Sequence, residues 1–236
     1  MSFEAATTTA KAKSKAALPP PTFDGEVSED SPTSFVEACG KESPSEVQQR
    51  LLWGANVNGR GRFGWTGLMA ATVWRNKAIV SLLLRQDDID INMTDSGGRS
   101  ALHHAAWYRN VDTLVMLLAD PRLNTINLMD TGGETPLLAA VDNNSVECVQ
   151  LLLMDPRTDP NIKFEFERCK CDRCSSFFDG SSNSNSPGIS LMHGGSPLMW
   201  AVKKGLKDCV KLLLPDPRVD LMTTDSYKRS KGEVIR

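Results

Sequence analysis

The sequence predicts an all-α solenoid: about five stacked helix-turn-helix units joined by β-turn or hairpin loops, with one long insertion before the last unit. Three observations predict it. Apolar anchors recur at Phe35, Leu68, Leu102, Leu137 and Leu198, with steps of 33, 34, 35 and 61 residues. Three residues after each anchor stands an alanine: Ala38, Ala71, Ala105, Ala140 and Ala201. Sixteen residues after each stands a leucine: Leu51, Leu84, Leu118, Leu153 and Leu214. Fixed offsets held through five copies are the mark of a repeat array, in which each unit buries its apolar face only against its neighbours.

Each unit opens with a helix. Thr135-Pro136 and Ser196-Pro197 supply a capping hydroxyl followed by proline at the first helical position, where a missing N–H does no harm. Thr66 and Ser100 occupy the same capping position without the proline. The alanine that follows is small enough for a neighbouring helix to approach closely. A second helix is expected through Ala78–Leu84, Thr113–Leu118, Glu147–Leu153 and Asp208–Leu214, where Val and Leu recur three to four residues apart and form one apolar face. Asp120-Pro121-Arg122, Asp155-Pro156-Arg157 and Asp216-Pro217-Arg218 come directly after second helices, and proline there reads as a stop and turn. Gly64, Gly98, Gly133 and Gly194 each precede an anchor by four residues, and Asn58, Asn92 and Asn127 precede the first three glycines by six. Asn and Gly at constant spacing read as a β-turn or hairpin between successive units.

The units divide the chain. Residues 1–31, with Thr7-Thr8-Thr9, Pro19-Pro20-Pro21 and few apolar groups, read as a disordered N-terminal tail. Repeats 1–4 occupy residues 32–161. Residues 162–193 form a Cys/Ser-rich insertion at a hairpin tip. The last repeat covers 194–222, and 223–236 is an incomplete repeat or a disordered tail. The array is thus expected to stop mid-repeat, as a fragment or truncated isoform would, or to lack an ordinary C-terminal cap.

Composition narrows the function. A net charge of −2 argues against a nucleic-acid or membrane-surface partner. No apolar run reaches the roughly 20 residues that span a bilayer, and no secretory signal is visible. The six cysteines are therefore expected as free or metal-bound thiols in a cytoplasmic or nuclear setting. No Gly-rich phosphate loop, His-Glu-x-x-His or Gly-x-Ser-x-Gly motif appears. The chain reads as a non-enzyme with no small-molecule substrate.

Several stretches resemble the ankyrin repeat: Ser100-Ala101-Leu102-His103-His104-Ala105-Ala106, Thr135-Pro136-Leu137-Leu138-Ala139-Ala140 and Gly54-Ala55-Asn56-Val57-Asn58. The resemblance covers residues 33–214 apart from the insertion. It departs where the family ends its first helix with glycine: Gly205 fits, but Arg75, Arg109 and Asn144 stand in its place. Those arginines must accept a left-handed backbone or shift the turn by one, to Asn76 and Asn110. The resemblance implies a protein-protein interaction module (adaptor, scaffold or inhibitor) that meets its partner through the concave face and hairpin tips. By position it implies Trp74, Trp107, Tyr108, Asp142, Asn143, Lys203 and Lys204 at the ends of first helices, and Trp65, Arg99 and Glu134 beside the tips. Trp, Tyr and Arg are the common anchors of interfaces. The rings could instead pack sideways between repeats as core.

Other residues invite other readings. Cys169, Cys171 and Cys174 have ligand-like spacing, and His193 could complete a tetrahedral zinc site; the alternative is a loop of free thiols. A zinc-dependent regulator is thus one alternative function. The ankyrin part of a larger signalling or ubiquitin-ligase protein is another. Cys148 and Cys209 read as small buried hydrophobes. His103 occupies the family's structural histidine position, with no acid or cysteine spaced to pair with it. Arg60-x-Arg62 reads as a solvated turn.

Overall fold

The computed structural model describes residues 34–164 and 195–222. Among them are ten α-helices in five pairs: α1 (Phe35–Lys41) and α2 (Pro44–Leu52), α3 (Gly67–Val73) and α4 (Lys77–Leu84), α5 (Ala101–Trp107) and α6 (Val111–Ala119), α7 (Pro136–Asp142) and α8 (Val146–Met154), and α9 (Pro197–Lys204) and α10 (Lys207–Leu213). Within this set strand pairing is confined to isolated antiparallel bridges, Arg60 with Thr66, Thr94 with Ser100 and Phe164 with Gly195. First helices pack on first helices (α1, α3, α5, α7, α9), and second helices pack on second helices. The result is the expected all-α solenoid.

Local chemistry starts each helix where the sequence expects it. Thr66 Oγ1 accepts from Met69 N at 3.3 Å, and Thr135 Oγ1 accepts from Leu138 N at 3.2 Å. Ser100 instead works with His103, whose Nδ1 lies 3.1 Å from the Ser100 N–H. The other ring nitrogen, Nε2, donates to Glu134 O at 3.1 Å in the next repeat. His103 is therefore held as a neutral imidazole, and burial pushes its pKa down to about 4.

The five repeated alanines are all fully buried, as are the anchors Leu102, Leu137 and Leu198. A larger side chain at the alanines would force neighbouring first helices apart. Each fully buried leucine stabilises the stack by about 1.5–3 kcal/mol. Cys39, Cys148 and Cys209 are also fully buried. Burial, the largest influence on each, raises the three thiols, that of Cys39 to about 12, which suits packing and not nucleophilic chemistry.

Between the two helices of a pair, Arg75, Arg109 and Asn144 take left-handed backbone angles, φ 58°, 55° and 52°, beside Gly205 at 68°. The turn has not shifted. Asn76 and Asn110 instead cap the second helices, accepting from Ile79 N and Thr113 N, each at 3.2 Å. The strain of a left-handed arginine, about 1 kcal/mol, is offset by its side chain. Arg75 donates to Tyr108 O at 2.5 Å, and Arg109 donates to Asn143 O. Each reaches the carbonyl that ends the first helix of the following repeat.

Two further ladders tie repeats together. Asn92 donates to Arg122 O at 2.8 Å and accepts from Asn124 N at 2.8 Å. Asn58, Asn127 and Asn161 make the same pair of bonds to the repeats that follow them. The arginines of the Asp-Pro-Arg turns reach the other way. Arg157 donates to Leu118 O at 2.9 Å and to Leu123 O at 3.3 Å. Arg122 and Arg218 likewise reach Leu84 O and Leu153 O. The final carbonyls of α4, α6 and α8 lack partners within their own helices, so the next repeat supplies them. Arg157→Ala is expected to lower stability by about 1 kcal/mol, since the guanidinium is half-exposed and its bonds are screened. A urea titration checks this.

Candidate functional site

The ends of the first helices form one row. Trp74, at the end of α3, lies over the end of α1 so closely that a Cβ on Gly40 would sit 2.7 Å from its ring. Its indole N–H is buried with no hydrogen-bond partner among the described residues. Arg75 and Arg109 then link successive helix ends, as described above. At the far end Lys204 pairs with Asp142, and Trp200 Nε1 donates to the same carboxylate at 2.7 Å.

Along this row two aromatic rings carry cations. The Arg99 guanidinium lies 5.0 Å from the Trp107 ring centre. Lys204 and Lys203 lie 4.9 Å and 5.6 Å from the Trp200 ring centre. Cations over indole faces are held by the ring quadrupole. Arg99 is also fixed by Asp130, Nε to Oδ2 at 2.8 Å, and approaches Glu134 at 3.9 Å. Burial and the neighbouring Asp130 carboxylate push Glu134 up to about 7 against the pull of Arg99. Tyr108 stacks beside His104, ring centres 6.4 Å apart.

The expected surface residues therefore fall into three groups. Trp74, Trp107, Tyr108, Arg99, Glu134, Asp142 and Asn143 are partly buried, and Lys203 and Lys204 are exposed. Trp65 departs from expectation. It is only 7 % exposed and packs against His104 at 5.1 Å. The ring is packed onto a first-helix histidine of the next repeat, so Trp65 belongs to the core and not to the partner surface. Cys169, Cys171, Cys174 and His193 lie outside the described residues. Within the described set, no three His, Cys, Asp or Glu side chains converge as metal ligands.

Two residues that sequence reasoning passed over take part. Trp200 joins the row and also packs edge-on against Phe164, centres 5.2 Å apart. Asp130 fixes Arg99 and at the same time accepts from Gly132 N at 2.8 Å and Glu134 N at 2.9 Å through its other oxygen. The recurrence of Asp-x-Gly-Gly at Asp95 and Asp130 is the signal that could have found it. His104 has an acid partner too: its Nε2 lies 2.9 Å from Asp95 Oδ2. That pair is buried, and through the His104–Tyr108 stack it braces the row. The row offers flat aromatic area, fixed charges and exposed backbone turns, which suit recognition of another chain.

Family models agree with this architecture. A model of ankyrin repeats in three copies matches residues 35–127, and a single ankyrin-repeat model matches 132–164 and 193–226. A mitochondrial disaggregase of Bos taurus is 43 % identical over 51 residues, which are 22 % of this chain and 8 % of that protein. The Homo sapiens protein of the same name is 41 % identical over 51 residues, 22 % of this chain and 7 % of its own length. The chain thus spans less than a tenth of either relative.

Proposed function

The chain belongs to the ankyrin-repeat family, whose repeats generally mediate protein–protein interaction, and on that premise we propose that it is an adaptor, scaffold or inhibitor holding a protein segment along its row of first-helix ends and hairpin tips. The observation that carries the reading is the contrast between repeats. Framework positions hold one residue type throughout, as the alanines do, whereas the row changes from Trp74, Trp107 and Tyr108 to Asp142, Asn143, Lys203 and Lys204. Framework residues serve the stack, so the varying ones are left to choose a partner. Trp107 anchors it, with Arg99 held in place above the ring. Cys39, Cys148 and Cys209 are free thiols, in keeping with a reducing compartment, cytoplasmic or nuclear.

In-cell crosslinking with photo-reactive groups beside Trp107 identifies the partner, and titration calorimetry then measures its affinity. Trp107→Ala is expected to weaken binding about thirtyfold while the variant keeps a cooperative melt. Unchanged affinity in a folded variant would remove Trp107 from the interface. Loss of the folded state would assign the ring to the core.

A further inference from the structure

The first hairpin tip, Gly59–Gly64, differs from those that follow. Where they carry Gly97 and Gly132 beside the turn glycine, it carries Phe63. Phe63 sits at φ 59° and ψ 19°, a left-handed conformation that bulky residues rarely adopt. Packing does not explain this choice, because the side chain is 57 % exposed. Strain of this kind persists only where the surroundings enforce it. Here Phe63 O accepts from Ser96 N of the next tip at 2.9 Å. Arg60 Nη1 donates to Thr94 O at 2.6 Å and to Gly64 O at 3.3 Å, fixing the turn from its other side.

The charges around the ring complete the picture. The Arg62 guanidinium lies 4.9 Å from the Phe63 ring centre. Among the described residues neither Arg60 nor Arg62 has a carboxylate partner. The carboxylates of the next two tips are already engaged: Asp95 by His104 and its own turn amides, Asp130 by Arg99 and its own turn amides. The tip therefore presents a half-exposed aromatic ring that carries Arg62, with Arg60 on the same turn, and among the described residues neither cation faces a carboxylate, on a backbone pinned to its neighbour.

From this geometry we infer that the Phe63 tip is a preformed contact for an acidic linear segment of a partner protein, in which carboxylates face Arg60 and Arg62 and an apolar side chain lies on the Phe63 ring. The inference rests on the protein-binding reading above and gives that partner its chemistry. Pinning the tip in advance spares the ordering that a mobile loop would undergo on binding. Two cations match a short acidic cluster, while a polyphosphate backbone needs a longer basic track.

The test uses the full chain and an array of 12-residue synthetic peptides. Each peptide has one Phe, Leu or Trp, flanked by Asp/Glu, by Lys/Arg or by Ser/Gln, and a labelled single-stranded RNA serves as a further probe. Acid-flanked peptides are expected to bind best and to lose at least tenfold in both Phe63→Gly and Arg60→Ala/Arg62→Ala. Phe63→Gly is also expected to melt about 3 °C higher, because the strain is relieved. Binding indifferent to the flanking charge, or unaltered by Phe63→Gly, would overturn the proposal. So would an unchanged or lower melting point for Phe63→Gly, or RNA binding that depends on Arg60 and Arg62. Peptides sensitive only to Trp107→Ala would overturn the tip while leaving the protein-binding reading in place. An array with no binder of any flank counts against the tip alone, since the Trp107 experiment judges the broader reading separately.

Discussion

Asp95→Ala lowers the unfolding free energy by about 3 kcal/mol, roughly a hundredfold shift in the folding equilibrium. The size follows from how much one small carboxylate holds. Oδ1 accepts from Gly97 N at 2.8 Å and from Arg99 N at 2.9 Å, closing the second hairpin tip. Oδ2 meets His104 Nε2 at 2.9 Å, with the Asp95 and His104 side chains only 8 % and 5 % exposed. Truncation leaves two turn amides and a buried ring nitrogen unsatisfied together, and the desolvation already incurred is not recovered. Asp95→Asn keeps an acceptor for the turn and is expected to lose about half as much. Equal losses for the two variants in urea titrations would show that charge, and not turn closure, dominates.

The same site has a signature in pH. Burial raises the Asp95 pKa, but hydrogen bonds and charge from His104, with the Arg99 and Gly97 amides, outweigh it and hold the carboxyl below its ordinary 3.8. A carboxyl depressed by folding stabilises the native state above its unfolded pKa, and that contribution is lost as pH falls through the folded value. The stability gap between wild type and Asp95→Asn should therefore narrow below about pH 4. Two other groups act at higher pH with opposite signs. His103, lowered to about 4, makes folding less favourable as pH falls from 6.5. Glu134, raised to about 7, makes folding less favourable as pH rises from 4.5. Between these limits the two oppose each other, which leaves the acid limb as the place to look for Asp95.

How much of this was legible depends on where each partner lies in the chain. The helix starts could be read because Thr66, Thr135 and Ser196 cap amides three residues away, within the window that sequence patterns describe. The alanine column was visible because every repeat needs the same small residue at the same close approach. Asn58, Asn92 and Asn127 were correctly singled out by spacing, yet read as local turn formers. Their carbonyl partners stand 30 residues on, and a backbone carbonyl leaves no mark in sequence. The arginines of the Asp-Pro-Arg turns were hidden for the same reason. Trp65 was misplaced because a position beside a turn does not say which way the ring faces; its neighbour His104 lies in the next repeat. At Arg60-x-Arg62 the charges mark a turn, but the importance of Phe63 lies in a backbone angle that no residue pattern announces.

Gly98→Ala tests whether the tips are coupled as closely as these ladders imply, and is expected to lower stability by about 3 kcal/mol. Gly98 has φ 76°, where an L-residue is strained, and that strain alone costs about 1 kcal/mol. The remainder comes from what the new methyl meets. A Cβ there would lie 3.1 Å from Thr131 N, 3.3 Å from Asp130 Cα and 3.4 Å from Asp130 C. All three are backbone atoms of the following tip, so no flexible side chain can swing away. Relief requires the third tip to move, which breaks the 2.9 Å bond from Thr131 N to Gly97 O and loosens Asp130 from Arg99. Gly205→Ala separates the two contributions. Its φ is 68° but nothing lies within 4 Å of the added Cβ, and Arg75, Arg109 and Asn144 accept the same backbone elsewhere. It should cost about 1 kcal/mol or less. The difference of about 2 kcal/mol between the variants is then the price of parting two tips. Since Asp130 holds Arg99 over Trp107 at 2.8 Å, Gly98→Ala should also weaken partner binding while Gly205→Ala leaves it intact. Equal stability losses in urea titrations would mean that the tips move independently.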